Sequence, residues 1–251
     1  GPKVGAFAVI IRLFLEALAP LQADWLPVFW VLAALTMTLG NVVALTQTNV
    51  KRMLAYSSIA HTGYLLVGML AAPVAGSGYG PMYLYLLSYT VMNLGAFAIL
   101  SILARRGDAG INLHDLAGLS RRHPALAFGM TVFLFSMAGI PPTAGFAAKY
   151  LLFSAAVQAG EIWITVIAVL CSAISVYYYL RVLVYMYMRE PAGSVVPAGR
   201  SWMTSAAVLA MILLTTSMAR YRHWVSGDYD KWLWQMAREA PRLDLVPPII
   251  L

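Results

Sequence analysis

The sequence predicts an all-α fold: a polytopic transmembrane helical bundle of about seven spans, one of them broken by prolines. Hydrophobic residues make up 61% of the 251 residues and charged residues only 11%, whereas soluble domains average about 45–50% apolar and about 25% charged residues. The mean hydropathy is +0.75, and long apolar stretches alternate with short loops. Because so few charged side chains could not cover a soluble domain of this size, most of the exterior faces something other than water.

Each span follows from the length of helix that a bilayer requires. About 20 apolar helical residues cross a hydrocarbon core of about 30 Å, and segments rich in Pro and Gly separate stretches of this length along the chain. In chain order, the predicted spans are residues 3–19, 25–46, 53–72, 82–103, 125–157, 163–188 and 201–218. We expect a loop at 190–200 and a tail at 219–251.

The fifth span is too long for one continuous helix across a bilayer. Its 33 residues, 125–157, would extend about 50 Å at 1.5 Å per residue. At its centre, Pro141 and Pro142 remove two backbone donors and push the residues before them out of the helical region. We therefore predict two half-helices joined by an unwound segment at 139–145. At this depth the free backbone N–H and C=O groups of the segment must hydrogen-bond to protein or to water in a cavity.

Basic residues are distributed unequally between the loops. The loops at 20–24, 73–81 and 158–162 contain neither Lys nor Arg. The alternate loops carry all of the basic loop residues: Lys51, Arg52, Arg105, Arg106, Arg121, Arg122, Arg189 and Arg200. By the positive-inside rule these loops are cytoplasmic, which places the C-terminal tail on the opposite side. Because the tail alternates Arg and Lys with Trp and Tyr, we predict an interfacial or partner-contacting segment.

Several functional classes are disfavoured by composition. The net charge is +7, but the basic residues are separated by long apolar helices, so we expect no nucleic-acid binding. The single cysteine, Cys171, lies in an apolar run. One thiol cannot form a disulfide framework, a thiolate zinc site or an iron–sulfur cluster, and we expect no cofactor bound by this chain.

Ionisable residues inside the spans are the functional candidates, because a charge at membrane depth costs at least a few kcal/mol. There are six: Lys3, Arg12, Glu16, His61, Lys149 and Arg181. Arg12 and Glu16 are four residues apart near the end of the first span, and Arg181 is near the end of the sixth. For these three we favour reaching the interface or structural pairing.

Lys149 is the strongest single candidate. It lies two turns past Pro142 in the broken span, among aromatic and apolar neighbours. Removal from water disfavours the charged form of a lysine, which suits the side chain to taking up and releasing a proton. The alternative is a lysine whose stem reaches the interface.

His61 is the second candidate. On a helix, Ser57, His61, Tyr64 and Gly68 share one face, which places an imidazole among hydroxyl groups in an otherwise apolar span. A histidine that titrates near neutrality can pass protons along such a stripe. The alternative is a buried histidine satisfied by a neighbouring helix.

Lys3 is the third candidate, and its depth depends on what precedes it. If the helix continues upstream of Gly1, Lys3 is central in the membrane. If Gly1 is the true start, Lys3 is a terminal lysine without a function.

The sequence resembles a known family over residues 3–191. The segments KVGAFAVIIRLFL (3–15), GNVVALTQTNVKRMLAYSSIAHTGYLL (40–66) and SMAGIPPTAGFAAKY (136–150) are similar to the N subunits of bacterial proton-pumping NADH:quinone oxidoreductase, respiratory complex I. The mitochondrial counterpart is NADH dehydrogenase subunit 2. Residues 172–181 add to this resemblance, and the tail does not take part in it.

The resemblance implies an architecture. Such antiporter-like subunits have fourteen transmembrane helices with two inverted five-helix repeats, each with an interrupted fourth helix. Residues 1–189 would then be an antiporter-like domain, in which the spans from 25–46 to 163–188 form the second repeat. The glutamate and lysine of the first repeat have no equivalent position here. We therefore expect a fragment, the second half of a longer subunit.

The resemblance also implies roles for the three candidates. Lys3 would be the central lysine between the repeats, His61 a connecting group, and Lys149 the terminal lysine of the second half-channel. NADH, flavin, iron–sulfur clusters and quinone would be bound by other subunits. The expected partners are other membrane-arm subunits of the complex and the lipid bilayer, and the expected location is the bacterial inner membrane.

Two alternatives remain open at this point. A subunit of a cation/proton antiporter or of a membrane-bound hydrogenase would share the broken helix and its lysine. A non-pumping assembly scaffold would share the fold without the proton transfer, since half of a pump need not pump. The residues 48–52 followed by His61 favour the complex I subunit.

Overall fold

A computed structural model describes residues 2–73, 79–104, 111–190, 209–213 and 215. In these ranges the protein is helical, and β-structure is limited to an isolated antiparallel bridge between Asn49 and Asn112. The predicted last span at 201–218 lies largely outside the described residues. So do nearly all of the loop at 190–200 and the whole tail at 219–251.

Eight α-helices follow one another along residues 2–190 of the described chain. They are α1 Pro2–Ile10, α2 Gln22–Thr46, α3 Val50–Ala71, α4 Gly80–Leu103, α5 Leu119–Arg122, α6 Pro124–Ala138, α7 Ala144–Gln158 and α8 Ile162–Met188. Four helical segments of the described part are long and apolar enough to cross a membrane: Ala19–Thr46, Val50–Ala71, Gly80–Leu103 and Ile162–Met188. The total of seven spans and their grouping into a repeat stay predictions.

The predicted first span is not a uniform α-helix. After α1 the chain forms a π-helical segment, Ile11–Ala17, and then a 3₁₀ turn, Ala19–Leu21. Arg12 and Glu16 are both exposed on the π-helical segment. Both side chains line one cavity together with Tyr83, and their reach to the interface or their pairing stays a prediction.

The predicted break in the fifth span is present. Helix α6 ends at Ala138 and α7 begins at Ala144, so residues 139–143 connect two half-helices of 15 residues each. The unwound segment is slightly shorter than predicted, because Thr143 caps α7 by accepting a hydrogen bond from the Phe146 N–H at 3.3 Å.

Helix α3 lies at the centre of the described bundle. It packs against α2, α4, α7 and α8, and 72% of its most apolar window is buried, compared with 33% for α2 and 39% for α8. The outer faces of α2 and α8 carry half-exposed apolar side chains such as Leu35, Leu39 and Leu170, as expected of helices that face lipid or another subunit. The helix that carries His61 is therefore enclosed by the rest of the bundle.

The start of α3 is anchored by a loop. The Asn49 side chain caps α3 by accepting from the Arg52 N–H at 3.0 Å. The Val50 N–H donates to the Ile111 carbonyl, and the Leu113 N–H donates to the Thr48 carbonyl, both at 3.0 Å. This loop leads into α5, which contains two residues expected in a loop, Arg121 and Arg122.

Candidate functional site

Lys149 is held inside the protein by three hydrogen bonds. Only 4% of its surface is exposed, and its ammonium donates to the Met137 carbonyl at 2.9 Å, the Ala138 carbonyl at 3.3 Å and the Ser172 hydroxyl at 2.9 Å. An ammonium group has three donors. All three are therefore satisfied by the protein, and the side chain does not reach an interface.

The proline pair explains why two of these acceptors are available. In an α-helix the carbonyl of residue i accepts from the N–H of residue i+4, so the Met137 and Ala138 carbonyls would bond to residues 141 and 142. Both positions are proline, which has no N–H. The broken helix thus leaves two carbonyls at the negative end of the α6 dipole, and Lys149 bonds to both.

Two glycines allow the half-helices to approach each other here. Gly139 ends α6 with a φ of 81°, a left-handed conformation that other residues rarely adopt. A Cβ at Gly145 would overlap the Ser136 carbonyl, so α7 can begin this close to α6 only at a glycine. The Gly145 N–H donates to the Ser136 hydroxyl at 3.0 Å, which fixes the contact.

His61 is held between two tyrosines from different helices. It is 1% exposed; its Nδ1 lies 2.6 Å from the Tyr85 hydroxyl on α4, and its Nε2 lies 3.2 Å from the Tyr179 hydroxyl on α8. In a neutral imidazole one ring nitrogen donates and the other accepts. Since a hydroxyl can do either, both tautomers of His61 can be satisfied in this position.

The predicted hydroxyl stripe on α3 is only partly correct. The Ser57 hydroxyl donates to the Leu54 carbonyl of its own helix at 2.8 Å, and Gly68 lies against Met82 and Leu152 instead of a polar group. The partners of His61 come from α4 and α8. Sequence periodicity within one helix could not reveal them, although Tyr85 and Tyr89 do share a face of α4 at a spacing of four residues.

Lys3 is hydrogen-bonded to α3, the helix that also carries His61. Its side chain is half-buried, and its ammonium donates to both the carbonyl oxygen and the hydroxyl of Ser58 on α3. The ammonium nitrogen also lies 5.1 Å from the centre of the Tyr89 ring. Lys3 therefore contacts the bundle interior, next to a ring that also contacts His61.

The structure brings the three predicted residues into one line. The His61 ring lies 4.7 Å from the Tyr89 ring and 5.5 Å from the Tyr64 ring, measured between ring centres. The Lys149 ammonium lies 5.2 Å from the centre of the Tyr64 ring. Lys3, His61 and Lys149 are thus connected through Tyr89 and Tyr64, and we call these five residues the lysine–histidine axis.

Asn41 is a buried polar residue that bonds to Tyr64, a residue of the axis. Asn41 on α2 donates to the Met37 carbonyl at 2.8 Å and to the Tyr64 hydroxyl at 3.4 Å. The Tyr178 hydroxyl donates to the Asn41 side-chain oxygen at 3.0 Å. The sequence alone does not single out Asn41, and its role is to join α2, α3 and α8 beside the axis.

A cavity lies beside Lys149 between α7 and α8. Its volume is about 570 Å³, and its lining combines Lys149, Ser154, Thr165 and Ser172 with apolar side chains. A cavity of this size with several polar groups can hold water. The Lys149 end of the axis therefore adjoins an open space between α7 and α8 whose lining is largely apolar.

The other candidates do not join the axis. Arg181 donates to the Leu45 carbonyl at 3.4 Å, a structural contact near the end of α8. Cys171 is a buried free thiol. Among the described residues, no group of three or more His, Cys, Asp or Glu side chains could hold a metal ion.

Comparison with known proteins finds relatives that belong to one family. Residues 1–175 match the family model described as "NADH:quinone oxidoreductase/Mrp antiporter, TM". The chain is 46% identical over 243 residues to NADH-quinone oxidoreductase subunit N of Trichlorobacter lovleyi, an alignment that covers 97% of this chain and 48% of the relative. The chain thus spans about half the length of this curated relative.

Solved structures show the same fold. A chain of respiratory complex I from Thermus thermophilus, solved with bound aureothin, aligns with a TM-score of 0.68 at 37% identity, covering 77% of this chain and 43% of that chain. A chain of the Mrp complex from a Dietzia species aligns with a TM-score of 0.70 at 23% identity, covering 87% of this chain and 49% of that chain. At that identity the second likeness concerns the fold alone.

Proposed function

The chain belongs to the NADH:quinone oxidoreductase/Mrp antiporter family of membrane proteins, and from this premise we propose that it moves protons along the lysine–histidine axis. The observation that carries the proposal is the continuous line of contacts from Lys3 through His61 to Lys149. Each of the three can bind and release a proton, and all three lie in a part of the molecule that an apolar bundle would otherwise keep free of charge.

The chemistry of the axis suits stepwise transfer. His61 can take a proton at one ring nitrogen and release one from the other, while the Tyr85 and Tyr179 hydroxyls rotate to match. Because tyrosine rings lie between the titratable groups, transfer between them needs hydroxyl groups or water molecules. Two ammonium groups in a medium of low dielectric constant disfavour each other's charge, so protonation of one promotes release from the other.

In this proposal the chain is a membrane-arm subunit N of a bacterial NADH:quinone oxidoreductase, a proton translocase. The 46% identity to a protein of that name and the likeness to a chain of respiratory complex I support this assignment. Quinone reduction elsewhere in the complex would change the protonation of the axis. NADH, flavin, iron–sulfur clusters and quinone would bind to other subunits, and this chain would contact the other membrane-arm subunits and the bilayer.

The proposed location is the bacterial inner membrane, with several spans. The basic loops would be cytoplasmic and the tail at 219–251 would lie on the opposite side. Residues 1–189 would form the antiporter-like domain, 190–200 a cytoplasmic loop and 201–218 the last span. Attaching a reporter that is active on one side of the membrane to a loop such as 158–162 would test this orientation.

Two competing functions lead to different experiments. A cation/proton antiporter subunit would share the fold, as the Dietzia Mrp complex does, but would purify without NADH dehydrogenase subunits. A non-pumping scaffold would share the partners, and Lys149→Ala would then leave proton pumping intact.

The deciding experiment uses the assembled membrane complex that contains this chain in full. The complex is reconstituted into vesicles, and acidification of the lumen is followed with a pH-sensitive dye while NADH and quinone are supplied. We expect Lys149→Ala to abolish the part of pumping that depends on this subunit, with assembly and NADH oxidation preserved. Unchanged pumping by this variant would favour the scaffold.

A further inference from the structure

Among the described residues, the lysine–histidine axis has no carboxylate along it. The acidic residues of these ranges lie at helix ends or in connecting segments: Glu16, Asp24, Asp115, Glu161 and Glu190. Within the same ranges, no carboxylate pairs with Lys3, His61 or Lys149. Within the described part, the groups that contact these three side chains are therefore hydroxyls, backbone carbonyls and aromatic rings.

Aromatic rings alternate with the titratable groups. The Lys3 ammonium faces the Tyr89 ring at 5.1 Å, and the Lys149 ammonium faces the Tyr64 ring at 5.2 Å. Both distances lie within the range of about 6 Å over which a cation is attracted to the face of a ring. His61 packs against both rings, so each position that can become positive contacts at least one tyrosine ring.

We propose that the ring faces of Tyr64 and Tyr89 act as the counter-charges of the axis, in place of carboxylates. This inference rests on the proposed proton-transfer function. Both tyrosines are positioning residues: they stabilise the protonated forms of Lys3, His61 and Lys149 through the ring quadrupole and take no proton themselves.

The chemistry of a ring explains its advantage over a carboxylate. A carboxylate next to one lysine would hold the charge there and could itself become protonated, which would trap the proton. A ring attracts a cation more weakly and has no site for the proton. Because the same two rings contact all three titratable groups, a charge that moves along the axis keeps a ring beside it.

The hydroxyl groups divide the four tyrosines into two pairs. The Tyr85 and Tyr179 hydroxyls bond to the His61 ring nitrogens. The Tyr89 hydroxyl is buried and bonds to neither ring nitrogen of His61, and the Tyr64 hydroxyl has the 3.4 Å contact with Asn41. For Tyr64 and Tyr89 the ring is therefore the functional group, whereas for Tyr85 and Tyr179 it is the hydroxyl.

Phenylalanine substitutions separate the two pairs, because phenylalanine keeps the ring and loses the hydroxyl. In the reconstituted complex, we expect Tyr85→Phe to slow proton pumping more than Tyr64→Phe or Tyr89→Phe does, because only Tyr85 bonds to His61 through its hydroxyl. Equal losses from Tyr89→Phe and Tyr85→Phe would overturn the proposal. These variants keep the ring-sized side chains of the core, so assembly is expected for all of them.

Leucine substitutions then test the ring itself. Tyr89→Leu removes the ring face and should lower the pumping rate by about tenfold, because the half-buried Lys3 makes a cation–π contact between the exposed and the desolvated case. Pumping at the unsubstituted rate with Tyr89→Leu would overturn the proposal. NADH oxidation and the amount of assembled complex are measured for each variant, so that a rate is compared only between assembled complexes.

A double substitution distinguishes positioning from packing. If Tyr89 acts through the charges of Lys3 and His61, Tyr89→Leu has a smaller fold effect on pumping once Lys3→Met has removed one of these charges. The same fold loss in both backgrounds would mean that the ring only fills space. Normal pumping by Lys149→Ala would instead contradict the proposed function, whatever the tyrosine variants do, so the two failures can be told apart.

Discussion

Lys149 and Lys3 are lysines inside predicted spans, but the protein holds them by different means. Lys149 is almost fully buried and bonds to two backbone carbonyls and a hydroxyl. Lys3 is half-buried and bonds to one residue, Ser58. The partner carbonyls of Lys149 lie only 11 and 12 residues away in sequence, whereas the partner of Lys3 is 55 residues away.

The difference shows how a helix break can form a cation site. Taking an ion out of water costs several kcal/mol even after relaxation, and hydrogen bonds to a charged group contribute about 1.5–3 kcal/mol each. Three such bonds offset a large part of the cost at Lys149. Two of the three acceptors are in place once α6 and α7 pack together, and α8 adds the third, Ser172. The position of Lys3 depends instead on how α1 docks against α3.

The aromatic rings serve both lysines in the same way. At 4 Å and an effective dielectric constant near 20, a carboxylate would attract an ammonium by about 4 kcal/mol, and a desolvated ring contributes about 2 kcal/mol. The difference of about 2 kcal/mol corresponds to roughly a thirtyfold change in the ratio of the charged to the neutral form of the lysine. A proton carrier must also release its charge, and the weaker contact favours that release.

The largest expected effect is at the more buried lysine. Lys149→Met should lower the proton pumping that depends on this subunit by at least about a hundredfold, because it removes the acid–base side chain at this end of the axis. The rate is measured with the reconstituted complex. Gln158→Met, at an exposed position at the end of the same helix, is the control and should pump normally. Subunit-dependent pumping by Lys149→Met at more than a tenth of the control rate would contradict the distinction between the two lysines.

The second largest effect is at Lys3. Lys3→Met should slow pumping by about tenfold, less than the loss at Lys149, since a half-buried position can admit water as a substitute. The exposed lysine at the start of α3 provides the control, and Lys51→Met should leave the rate unchanged. A loss as large as that of Lys149→Met would show that the half-exposed lysine is as indispensable as the buried one.

The proline pair should affect Lys149 alone. Pro141→Ala restores an N–H that can compete for the Met137 carbonyl, and the loss of one hydrogen bond to a charged group should slow pumping by about tenfold or less. Pro142→Ala should have a smaller effect, because the Ala138 carbonyl is the more distant acceptor of Lys149, at 3.3 Å. Pumping rates of the two variants are compared in the same assay.

A third proline is the matched control for this pair. Pro124→Ala changes the first residue of α6, where the missing N–H leaves no acceptor for Lys149, and it should pump normally. If Pro124→Ala slows pumping as much as Pro141→Ala, the effect belongs to the stability of α6 and not to the acceptors of Lys149.

The smallest effect is at the hydroxyl partners of His61. Tyr85→Phe removes the 2.6 Å contact with Nδ1 and should slow pumping by about fivefold, as expected for a hydrogen bond of about 1 kcal/mol. Tyr179→Phe removes the longer contact of 3.2 Å and should have a smaller effect. Tyr83→Phe, on the same helix as Tyr85 and partly exposed, is expected to have none; a reversed order of these three would contradict the assigned partners.

Much of the fold could be predicted from the sequence because it depends on local patterns. Apolar length and loop composition predicted the helices α2, α3, α4 and α8, and Pro141 with Pro142 predicted the break between α6 and α7. The π-helical segment Ile11–Ala17 was not predicted, since hydrophobic periodicity over such a short stretch does not separate a π-helix from an α-helix.

The site could be predicted only in part. Lys3, His61 and Lys149 were identified because charge is costly in a span, which is a property of each residue alone. Their partners on other helices, including Tyr85 and Tyr179, could not be found, because helix packing is not encoded by spacing within one segment. Ser57 was expected on the same helix face as His61; its hydroxyl is buried there and donates to the Leu54 carbonyl, since a shared helix face does not decide whether a hydroxyl bonds to its own backbone.

The central claim is that the two lysines belong to one proton path through His61, and His61→Phe tests it most directly. Phenylalanine keeps an aromatic ring between Tyr64 and Tyr89 but can carry no proton. In vesicles with the assembled complex, we predict that pumping through this subunit is lost although Lys3 and Lys149 are both intact, while His114→Phe, at an exposed histidine of the 111–118 loop, pumps normally. Pumping by His61→Phe at the rate of His114→Phe would contradict the account.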